Sequence, residues 1–60
     1  MNKYVVKVGY FEPRRQVTVE AKSEDDAFIK ASYEADRRCI KRGNEPPVAW
    51  DMEIIQVKPI

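Results

Sequence analysis

The chain has no histidine, and that absence removes more chemistry than any single residue present supplies. Without an imidazole there is no Ser-His or Cys-His couple to activate a nucleophile, and zinc loses its usual nitrogen ligand. One cysteine, Cys39, rules out an intrachain disulfide, and a small domain without such staples fits a reducing compartment. Neither of the two glycines belongs to a phosphate loop, because Gly9 falls in a strand-like run and Gly43 behind a helix-like one. No apolar run approaches the roughly 20 residues that cross a bilayer. Nor does a basic leader with an apolar stretch and cleavage site open the chain, so a soluble cytoplasmic protein is expected. Net charge is nearly absent as well. Eleven basic residues balance ten acidic ones, so attraction to nucleic acid or anionic lipid has to come from local segregation of charge.

What is present suffices for one small domain over residues 1–60, with no repeat and no internal boundary. A chain of this size buries only about 60% of its unfolded surface, so a partner or a second copy can add much to its stability. The segment KYVVKVGYF (3–11) alternates, with Tyr4, Val6, Val8 and Tyr10 on one face and Lys3, Val5, Lys7 and Gly9 on the other. EPRR supplies a turn around Pro13. QVTVEA (16–21) then alternates again, with Val17, Val19 and Ala21 on one face, and the pair reads as a β-hairpin.

Three acids follow in the stretch VEAKSEDDAFIKA. Ser23 before Glu24, Asp25 and Asp26 is the pattern of an N-cap, with Asp26 where a capping box puts its acidic partner. Carboxylates there also meet the positive end of the helix dipole. A metal site would want further oxygen ligands from elsewhere, and no glycine-bearing calcium-loop spacing is present. Arg37, Arg38, Lys41 and Arg42 crowd the far end, with Gly43 behind them, so a helix is expected over 24–42. GNEPP is a loop. VAWDMEIIQVK (48–58) alternates with Trp50, Met52 and Ile54 on one face, and then Ile55 and Val57 fall on the other, which implies a bulge or burial on both sides.

The fold class is thus α+β, ββαβ: a three-stranded sheet with one helix packed on one face. A right-handed crossover after the second strand puts the third beside the first, in order 2-1-3 with the outer strands parallel. The expected core is Tyr4, Val6, Val8, Val17, Val19, Ala21, Phe28, Ala35, Cys39, Trp50, Met52 and Ile54. Cys39 lies within about 60° of Phe28 and Ala35 on a helical wheel, which makes it a small core residue rather than a reactive thiol.

No catalytic residue, metal ligand or cofactor site emerges, and a non-enzyme without a small-molecule substrate is expected. Two binding readings stand. Ile29, Tyr33 and Ile40 share a strip within about 40°, offset from the alanine stripe by about 100° or more. Either the helix turns that strip inward, or it remains for a protein partner, together with an outer strand carrying Ile55 and Val57. The alternative is nucleic acid held by Arg14, Arg15, Arg37, Arg38, Lys41 and Arg42, provided hairpin and helix end face one way. The bland explanation of those cations is a stabilised dipole and a solvated face. Against a base-stacking platform, Tyr4, Tyr10 and Trp50 share the register of the core valines.

The run YVVKVGYFEPRRQVTVEAKSEDDAFIKASYEAD resembles the small DpnD/PcfM-like proteins of phages and mobile elements: a strand, a short turn, "VTVEA", a spacer, "SEDDA" and an alanine-bearing helix. The resemblance covers the first half to two-thirds of the chain and departs from it at GNEPPVAW and at the basic helix end. It implies a compact ββαβ protein and carries over no functional residue. It also implies an accessory protein that binds and modulates a host protein; pairing with a second copy is the other expectation for the partner.

Overall fold

Alternation builds the sheet, and capping bounds the helix. The computed structural model describes residues 1–9 and 15–60 and shows an α+β fold in the order β1 (Asn2–Gly9), β2 (Arg15–Ala21), α1 (Glu24–Lys41), β3 (Asp51–Pro59). The expected turn at Pro13, the outer part of the first strand with Tyr10, and Arg14 lie outside the described residues. The last strand starts at Asp51 rather than at residue 48, so Trp50 stands just before it.

β1 is central and antiparallel to both neighbours, in the order β2-β1-β3, which leaves the outer strands parallel to each other. One face of β1 buries Tyr4, Val6 and Val8. On the other face Lys3 stands opposite Glu20 and Lys7 opposite Glu53, a register that sets unlike charges side by side. The register of β3 slips by one residue: Val6 faces Ile54, but Val5 faces Gln56. Ile55 is the extra residue of a bulge, and beyond it Val57 stands opposite Tyr4. Of the two alternatives, a bulge or burial on both sides, the strand takes the bulge, which returns Val57 to the helix side.

Ser23 caps α1 from an extended backbone, its Oγ accepting from the Asp26 N–H at 3.2 Å. Asp26 Oδ2 reaches back to accept from the Lys22 N–H at 3.1 Å, one residue before the place a standard box uses. At the other end the Gly43 N–H bonds to the Ile40 carbonyl and the Asn44 N–H to that of Cys39. This pair is a Schellman closure, and it needs the positive φ of 83° that Gly43 adopts.

The helix meets the sheet through alanine. Ala27 and Ala31 are fully buried and Ala35 is 7% exposed, whereas Phe28 is only half-buried. Small side chains let the helix backbone sit close to β2 and β1, and its backbone approaches β3 least. Two corrections follow for the core. Ala27 and Ala31 belong to it, and Cys39 is only partly covered because it lies near the helix end, past the tightest part of the stripe. Val19, Trp50, Met52 and Ile54 pack against its margin.

Candidate functional site

Because the alanines face inward, the larger strip must face out. Ile29 is 54% exposed, Tyr33 70% and Ile40 62%. The sequence left open which stripe would be buried, and the close approach of helix to sheet decides it. The strip borders β3. Phe28, Ile29, Ser32 and Tyr33 form one wall and Met52 the other side of an open, largely apolar groove of about 350 Å³. Ile55 and Val57 are both exposed on the same strand, which is hydrogen-bonded to a neighbour on only one side.

A polar tie between α1 and the entry of β3 was missed by sequence reasoning. Trp50 Nε1 donates to Asp36 Oδ1 at 2.7 Å, tying the entry of β3 to the middle of the helix. A signal was there to find. Asp36 is seven residues after Ile29 and four before Ile40, so it sits within the apolar strip, where a lone carboxylate calls for a partner. Phe28, Ser32 and Met52 were likewise not foreseen as groove residues, because their meeting depends on where the helix lies across the sheet.

The basic residues separate into two groups. Arg15, Arg38 and Arg42 line one cavity of about 240 Å³, with Val8, Val17, Cys39 and Trp50 among its apolar surfaces and Glu45 at its margin. Arg15, at the start of β2, thus borders the same cavity as the helix end. Arg37 instead turns back along the helix to Glu34, with Nη2 and Oε1 2.6 Å apart, and Arg38 Nε lies 3.4 Å from the same oxygen. The Arg37 hydrogen bond is the main cause that lowers the Glu34 pKa, and the same bond raises that of Arg37. Lys41 is exposed and away from the cavity, and Arg14 lies outside the described residues.

The acidic trio is spent on the helix start. The Lys22 N–H is the leading cause that holds the Asp26 carboxyl below its usual range, helped by Lys30 at 3.3 Å. Lys30 also donates to the Glu20 carbonyl at 2.7 Å, which fastens α1 to β2. Among the described residues no group of three or more potential ligands converges as a metal centre, and no helix is long and apolar enough to cross a membrane. In comparisons with family models, curated proteins and solved structures, nothing matches the chain.

Proposed function

We propose that this chain is a non-catalytic protein-interaction module that docks a partner in the groove between α1 and β3. One observation carries the reading: the helix buries its alanines and leaves Ile29 and Tyr33 exposed beside Met52. An exposed apolar strip costs solubility unless something covers it. The resemblance to accessory proteins of phages and mobile elements supplies the setting, a host protein bound and modulated in the cytoplasm. The test is capture of a partner from a host lysate treated with nuclease, by the native chain and by Ile29→Ser/Tyr33→Ser. Both side chains are exposed, so the variant keeps its circular dichroism and loses the partner. Undiminished capture by that variant removes the groove from consideration.

A second reading has its own observation, the meeting of Arg15, Arg38 and Arg42 around one cavity. In it the chain binds nucleic acid through phosphate contacts, and affinity falls steeply with added salt. A gel shift without a complex at low ionic strength ends that reading.

A further inference from the structure

The two edges of the sheet are not alike. β2 lies under the helix and is held to it at the Glu20 carbonyl by Lys30. β3 extends over nine residues, with proline only at its last position, and the helix stays clear of it. Along β3 the charges are ordered: Asp51 and Glu53 at one end, Lys58 at the other. A strand with acid first and base last is complementary to itself when laid antiparallel.

We infer that a second copy of this chain pairs with β3, edge to edge and antiparallel about a two-fold axis, to make one six-stranded sheet. This goes beyond the interaction reading above: the groove is left to the host partner, and the free edge of β3 takes a second copy. In the register that faces Asp51 with Lys58 of the other copy, Met52 faces Val57, Glu53 faces Gln56 and Ile54 faces Ile55. The bulge makes that register consistent. Met52 stands opposite Val8 and Val57 opposite Tyr4, so both point to the helix side. Asp51 and Lys58 stand opposite Gly9 and Lys3, on the open side. Without the extra residue the apolar and charged positions of the two copies would fall on opposite faces.

Charge within one copy favours the same arrangement. Lys58 faces Lys3 across the sheet, and like charges directly opposite are unfavourable. The other copy's Asp51 supplies a carboxylate on the far side of Lys58, twice in the dimer. The helices leave room for it. Each lies over β1 and β2, so their axes stand about 19 Å apart, four strand spacings of about 4.8 Å. That exceeds the roughly 10–12 Å diameter of a helix with its side chains. The two grooves merge into one trough with Ile29 and Tyr33 of both copies on its walls.

The experiment is sedimentation equilibrium of the full chain over a concentration series. The expected result is a reversible species of twice the 7.0 kDa chain mass. Asp51→Lys or Lys58→Asp turns each attraction into a repulsion and weakens the dimer by about tenfold. Lys58→Asp sets a carboxylate opposite Lys3, so the sheet of the single copy is not weakened and lost pairing cannot be put down to unfolding. The exchange Asp51→Lys/Lys58→Asp restores the native dissociation constant. A chain that stays monomeric, a dimer indifferent to either single change, or an exchange that fails to restore it each overturns the pairing. A monomeric chain that still captures a partner through Ile29 and Tyr33 overturns the self-pairing alone, whereas a dimer whose groove variant captures as well as the native chain refutes the groove alone.

Discussion

The two sides of the helix are built on opposite rules. Toward β1 and β2 it presents alanine, and the elements close to the point where Ala27, Ala31 and Val6 lose all contact with solvent. Toward β3 it presents isoleucine and tyrosine, and the elements stay apart, joined by the Trp50–Asp36 hydrogen bond and bordering the open groove. Small residues permit intimacy and large ones prevent it here. The lesson is that the hydrophobic side of a helix is not always its largest side chains: contact is decided by how closely two backbones can approach.

The sharpest way to break this contrast is to spoil the intimate side. Ala31→Leu forces methylenes into a filled seam and is expected to cost about 1–3 kcal/mol, read as a lower urea midpoint. In a domain this small, that is a large part of the total stability. Ser23→Ala removes the cap that starts the helix and is expected to cost about 1 kcal/mol by the same measurement. Trp50→Phe keeps the ring and deletes the donor to Asp36; the expected loss is about 0.5–1.5 kcal/mol. The open side gives the smallest effect for each side chain changed: Ile29→Ser and Tyr33→Ser, each made alone, cost no more than about 0.5 kcal/mol by the same measurement. If either costs as much as Ala31→Leu, the two sides are not different in kind.

Acid tests the polar ties that frame both sides. The carboxyls of Asp26 and Glu34 have lowered pKa values in the folded chain, so they bind protons less readily there than in the unfolded one. Their contribution is present above the usual carboxylate range and is lost as pH falls through the lowered values. Both are surface groups, so the effect is small. Asp26→Asn is expected to lower the urea midpoint slightly near neutrality and to change it least in acid, so that the acid limb of the midpoint plotted against pH flattens.

Much of this was legible in sequence, and what was not shares a cause. Alternation gave away the strands, and Ser23 and Gly43 bracketed the helix to within a residue, because those signals are local. Whether Ile29 or Ala31 faces the sheet was not local: a helical wheel shows two apolar stripes and cannot say how near the sheet will come. Alternation allowed either a bulge or two buried faces around Ile55 and Val57, a choice fixed only by pairing with β1, and Cys39 was overrated because the wheel ignores where along the helix the sheet ends. Of the candidate site, the exposed strip and the outer strand were visible. The groove between them, and the gathering of Arg15, Arg38 and Arg42 around a cavity that Arg37 does not line, required the fold.

Trp50 is the only tryptophan in the chain, and it sits half-buried where the last strand leaves the loop and reaches the helix. Its indole is thus an intrinsic optical gauge of that junction. Emission wavelength and quenching by iodide will follow any loosening or closing of the boundary between α1 and β3 without an attached dye.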